Sequence, residues 1–120
     1  MSDNDWKLPT ADLRGKIVKV HDGDTATVLQ RDGSLANIRL ANIDAPELLQ
    51  QGGSAARDRL RELIYGRNLN IAVAPDTTYN RAVGTLTDRN DVNYNLGQVR
   101  SGNATAYEQF LRDPAALQAQ

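Results

Sequence analysis

Residues 14–40, RGKIVKVHDGDTATVLQRDGSLANIRL, hold the pattern that decides the fold. Apolar and β-branched residues recur in short runs: Ile17, Val18 and Val20, then Thr25, Thr27 and Val28, then Leu35, Ile38 and Leu40. Alternating runs of this kind mark half-buried strands. Asp32-Gly33-Ser34 stands between the second and third runs and has the chemistry of a tight turn. Three antiparallel strands are predicted.

Working outward, the period changes at 54–65, SAARDRLRELIY, where Ala56, Leu60, Leu63 and Ile64 share one helical face and Gly66 supplies a stop. Strand signals return at Leu69, Ile71 and Val73, and again at Val83, Thr85 and Leu86. A second helix is expected to begin near Asp91 or Asn93, and a third to run from about Thr105 with Pro114 inside it. The order βββ-α-ββ-α predicts an α+β fold, a five-stranded Greek-key barrel of OB type with two or three flanking helices. One domain is expected over 14–120, behind a flexible lead-in at 1–13 in which Trp6 and Leu8 are the apolar anchors.

Composition narrows the chemistry. The net charge is -1 and the pI about 5.7, opposite in sense to the basic field that nucleic-acid binding usually draws on. Eleven of the fourteen cations are Arg, the residue suited to forked contacts with phosphate. Cys is absent and His occurs once, so thiolate sites are excluded and zinc or histidine-based catalysis is poorly supported. MSDNDWKLPT has no apolar h-region and no run approaches a membrane span. The expectation is a soluble protein, monomeric, either cytoplasmic or secreted with a leader removed.

Two clusters carry reactive groups. His21-Asp22-Gly23-Asp24-Thr25 joins the first two strands and would, alone, be read as an Asp-Gly turn. Arg39-Leu40-Ala41-Asn42-Ile43-Asp44-Ala45-Pro46-Glu47 ends a strand with two acids and one Arg on a loop stiffened by Pro46. Asp24, Asp44 and Glu47 are hard oxygen donors of the kind that suit Ca²⁺ or Mg²⁺. Of the three Glu residues, Glu47 alone stands beside other acids. Tyr79-Asn80-Arg81 precedes the last strand; a lone loop Arg is ordinarily just solvated.

In order and spacing, VKVHDGDTATVL, IRLANIDAPE and YNRAVGTL resemble the DGDT, RLxxIDAPE and YGR signatures of the staphylococcal nuclease (thermonuclease) family. The similarity runs from about Arg14 to Tyr107, with a weaker match in DVN and QVRSGNATAY. It implies a Ca²⁺-dependent endonuclease that cuts DNA and RNA and leaves 3′-phosphate ends. It further implies that Asp24, Asp44 and the Ala45 carbonyl hold one metal ion and that Glu47 is the general base. Arg39 and Arg81 become the guanidinium clamps on the scissile phosphate, with Tyr79 on the nucleotide. His21 flanks the first motif and is read as an ordinary strand-end side chain.

The sequence departs from the family at several points. Asn80 replaces a Gly, Thr78 stands where a basic residue is common, and 91–100 holds about two extra residues, with Gly97 inside a predicted helix. The chain stops at Gln120, without the family's longer terminal helix. The competing function is a catalytically inactive module of the same fold that binds nucleic acid or protein.

Overall fold

The computed structural model of the chain describes residues 12–78, 81–102 and 104–106, apart from the side chains of 75–78 and 81. Five strands close into a barrel: β1 (Leu13–Asp22), β2 (Thr25–Gln30), β3 (Leu35–Leu40), β5 (Asn68–Thr78) and β6 (Arg81–Thr87). A two-residue strand β4 (Ile43–Asp44) and two helices, α1 (Gly53–Ile64) and α2 (Tyr94–Arg100), complete the set with β7 (Thr105–Ala106). Around the barrel the order is β1-β2-β3-β6-β5, and only the β3–β6 pair is parallel.

Period-two alternation explains which side of each strand is buried. Ile17, Ala26, Val28, Ile38, Leu40, Ile71 and Leu86 fill the interior. Burying each Ile or Leu stabilises the fold by about 1.5–3 kcal/mol before conformational entropy is counted. Thr25, Thr27, Asn37 and Arg39 fall on the opposite parity and so form an outer polar face on β2 and β3. The Asp32-Gly33-Ser34 turn forms as expected, with Gly33 at φ 86 and the Ser34 N–H donating to Asp32 Oδ1 at 3.0 Å.

Helix α1 presents Ala56, Leu60 and Ile64 to the barrel, and Gly66 at φ 79 follows its end. Asn93 caps α2 by accepting from the Leu96 N–H at 3.0 Å. The loop before α2 is tied by Asp88, whose Oδ1 accepts from the N–H groups of Asn90 and Val92.

The expected third helix is corrected at its start. Thr105 and Ala106 are extended and pair antiparallel with Asp44 and Ile43. The remainder of that expected helix, and the lead-in up to residue 11, lie outside the described residues. Strand β1 already includes Leu13, one residue earlier than the expected domain start. Among the described residues no helix is long and apolar enough to cross a membrane.

Candidate active site

The Asp22-Gly23-Asp24 turn and the β3–β4 corner meet at one end of the barrel. Leu40 N–H donates to the Asp24 carbonyl at 2.8 Å, so the β2–β3 ladder continues up to Asp24. Beyond Leu40 the chain turns through Asn42, which holds a left-handed φ of 65. Asn tolerates that conformation better than most residues. The turn delivers Ile43 and Asp44 into β4.

Three side chains converge there. Arg39 Nη2 lies 3.3 Å from Asp24 Oδ2 and 3.6 Å from Asp44 Oδ1. Its Nη1 donates to the Leu40 carbonyl at 2.7 Å, which fixes the plane of the guanidinium. Asp24 Oδ2 accepts from the Ala45 N–H at 3.0 Å, and Thr25 Oγ1 donates to Oδ1 at 3.1 Å. The Asp24 side chain is 10% exposed, whereas that of Asp44 is 67% exposed. One carboxylate is therefore structural in its surroundings and the other faces solvent.

Burial raises the Asp24 carboxyl above its ordinary pKa. The Ala45 N–H and the Arg39 guanidinium pull it back down, and Asp22 adds to the rise. Two carboxylates against one guanidinium leave a net negative charge where an anionic substrate would have to sit. A divalent cation would reverse that sign.

The donor set suits such an ion. Asp24 and Asp44 supply hard carboxylate oxygens, and Asp44 opens to water that can fill remaining positions. Among the described residues no three His, Cys, Asp or Glu side chains are grouped so as to hold a metal ion between them. Ca²⁺, with roughly six to eight oxygen ligands drawn freely from water and carbonyls, tolerates a two-carboxylate site. The described contact of Ala45 is its N–H to Asp24.

Glu47 is exposed on the loop leading to α1. Its N–H donates to Gln50 Oε1 at 2.8 Å and its carbonyl accepts from the Gln50 N–H at 2.9 Å, so Gln50 fixes the backbone at Glu47. Gly53 makes this arrangement possible: a Cβ there would lie 1.9 Å from the Glu47 carbonyl oxygen. Arg81 opens β6 with its backbone in register with Asn37, two residues from Arg39 along β3. Its side chain and the whole of Tyr79 lie outside the described residues.

Two supporting residues escaped the sequence reading. Gln98 is fully buried and donates Nε2 to the carbonyls of Gly23 (3.0 Å) and Ala56 (2.7 Å). Asn95, also fully buried, donates Nδ2 to the carbonyls of Ala41 (3.0 Å) and Gly84 (3.2 Å) and accepts from the Leu86 N–H. One grips the turn before Asp24 and the other the corner before Asp44. The available signal was two amides at i and i+3 on a helix whose other buried positions are Tyr94 and Leu96. Gly23 fits between these parts because a Cβ would lie 2.6 Å from Ala56 Cβ and 2.7 Å from Ala45 Cβ.

The chain is similar to several known proteins. The chain is 36% identical over 109 residues to an "Uncharacterized endonuclease" of Escherichia coli O157:H7, covering 91% of this chain and 71% of that protein. It is 38% identical over 105 residues to an "Uncharacterized endonuclease" of Haemophilus influenzae, covering 88% and 58% respectively. A "Micrococcal nuclease" of Shigella flexneri is 34% identical over 108 residues, covering 83% of this chain and 62% of that protein. Residues 37–120 match the family model described as staphylococcal nuclease homologue, and the chain belongs to that family.

Proposed function

We propose that this chain is a Ca²⁺-dependent endonuclease that hydrolyses phosphodiester bonds of DNA and RNA and leaves 3′-phosphate ends. The observation that carries the reading is the convergence of Asp24 and Asp44, from separate segments, within 3.6 Å of one guanidinium nitrogen of Arg39. The endonuclease and nuclease names of its relatives support the same class of reaction.

Asp24, Asp44 and the Ala45 carbonyl would hold the ion. When bound, Ca²⁺ supplies positive charge that stabilises the phosphoryl oxygens as negative charge builds on them. Arg39 has five N–H donors, of which the described contacts engage a carbonyl and two carboxylates. The rest are available to a phosphate oxygen, and Arg81 would grip the same group from β6. Glu47 takes a proton from the attacking water, whose oxygen bonds to phosphorus as the P–O5′ bond breaks. The departing O5′ takes a proton from solvent and leaves as a 5′-hydroxyl. A preset charge clamp is worth about 3–4 kcal/mol of barrier and a placed general base about 10²–10⁴-fold in rate.

The test is plasmid and RNA digestion across a Ca²⁺ titration, with Ca²⁺ binding measured by calorimetry on the same samples. Wild type should digest both at millimolar Ca²⁺ and neither in chelator. Glu47→Gln should bind Ca²⁺ and lose most turnover, Asp44→Asn should lose the binding, and Arg81→Ala should lose turnover with binding kept. Wild type that binds nucleic acid and Ca²⁺ but leaves every linkage intact would instead be the non-cleaving module.

A further inference from the structure

On the barrel's outer face, a polar row crosses the strands beside Arg39. Lys19 on β1 is in register with Thr27 on β2, Thr27 with Asn37 on β3, and Asn37 with Arg81 on β6. His21, at a bulge in β1, brings Nε2 to 2.6 Å from Thr27 Oγ1. Thr27 Oγ1 donates to Asn37 Oδ1 at 2.8 Å. A hydroxyl has one proton, so Thr27 accepts from the Nε2–H of His21.

This chain of bonds does no work for the core, which lies on the other side of the sheet. Its effect is to orient Asn37. With Oδ1 tied to Thr27, and a side-chain bond also linking His21 to Asn37, the Nδ2 edge of the amide is turned away from β2. Asn37 is half-buried, Thr27 is buried beneath the row, and Lys19 is exposed at its end. The face thus shows an oriented amide donor and an ammonium group, both made for an anionic oxygen.

We propose that Asn37 and Lys19, with Asn37 held by His21 and Thr27, form a subsite for the phosphate next to the cleaved linkage on an extended single strand. The inference rests on the nuclease reading above. Asn37 and Arg39 are two residues apart on one strand, or roughly 6.4–6.8 Å. That matches the repeat of a stretched nucleotide backbone, so donors at both positions would meet consecutive phosphates. A stacked duplex does not lay successive phosphates along one strand in this way, and single strands should gain most.

The experiment compares two substrates on the full chain in Ca²⁺: a short single-stranded oligonucleotide, and bis(p-nitrophenyl) phosphate, which has no neighbouring phosphate. Asn37→Asp keeps the acceptor for Thr27 and replaces the outward donor with an acceptor. It should lower kcat/KM on the oligonucleotide about tenfold, mainly through KM, and clearly less on the small diester. Lys19→Gln should reduce the slope of log kcat/KM against log salt by about 0.7 on the single strand. Equal losses on both substrates for Asn37→Asp, or an unchanged slope for Lys19→Gln, overturns the subsite. If Asn37→Asp fails to fold by circular dichroism, the exposed Lys19→Gln decides alone. Wild type inert toward both substrates would overturn the nuclease reading itself.

Discussion

Gln98 on α2 reaches back 75 residues to donate 3.0 Å to the carbonyl of Gly23, one position before the buried acid of the site. The same amide nitrogen holds the Ala56 carbonyl on α1. A single side chain therefore locks the β1–β2 turn to both helices. Replacing it by Leu fills the same space and leaves the Gly23 carbonyl without this donor, at about 1–3 kcal/mol, while the Ala56 carbonyl keeps its helical bond. Urea denaturation of Gln98→Leu should show a loss of that order, together with weaker Ca²⁺ binding.

Two glycines should respond to alanine in opposite directions. At Gly53 the new methyl would meet the Glu47 carbonyl, so the loop must shift, at about 1–3 kcal/mol. Its digestion rate should fall at temperatures where the variant is fully folded, since the loop carries Glu47. At Gly97 the nearest contact to a new Cβ is Leu63 Cδ1 at 3.7 Å, an ordinary packing distance. Gly97→Ala should raise stability by about 0.5–1 kcal/mol, read as a higher urea midpoint with unchanged digestion.

Asp24 gives a pH dependence whose direction is fixed by its raised pKa. The unfolded carboxyl ionises near its ordinary 3.8 while the folded one is still protonated. Stability contributed by the protonated form is thus lost as pH rises from that value through the folded pKa, and the loss persists at neutral pH. Asp24→Asn removes this dependence. In chelator at pH 7 it should melt a few degrees higher than wild type, whereas the rise in Tm on adding Ca²⁺ should shrink. A variant that melts lower in chelator would show that the pairing with Arg39 outweighs burial.

His21 titrates with the opposite sign. Burial, then the nearby Lys19 charge, lowers its pKa from the ordinary 6.5, against Asp22 and the bond to Asn37. The unfolded chain takes up the proton first, so stability falls as pH drops below that value. His21→Gln should flatten the part of the wild-type Tm profile between neutral pH and about pH 5 that this group contributes.

Much of this was readable from local pattern. Period-two runs placed β1, β2 and β3, and a helical face placed α1, because each element buries one side and the side chains declare which. The acids and Arg39 could be named from their motifs, yet not that one guanidinium nitrogen faces both carboxylates, which depends on how β3 bends through Asn42. Asn95 and Gln98 read as ordinary helix polars, since burial of an amide is decided by distant carbonyls at Gly23, Ala41, Ala56 and Gly84. Thr105 and Ala106 had no strand pattern because two residues are too few for any period. Their extended shape is imposed by pairing with Ile43 and Asp44.

That last pairing bears on when the protein becomes competent during synthesis. Asp44 emerges from the ribosome long before Thr105, the residue its backbone zips to. Until then the solvent-facing acid hangs on an open edge, and α2, with both of its clips, is also still to come. A growing polypeptide would carry every group of the first two motifs and lack the brace that aligns them. Both parts of that brace, α2 and the Thr105–Ala106 strand, come later in the chain than the groups they align.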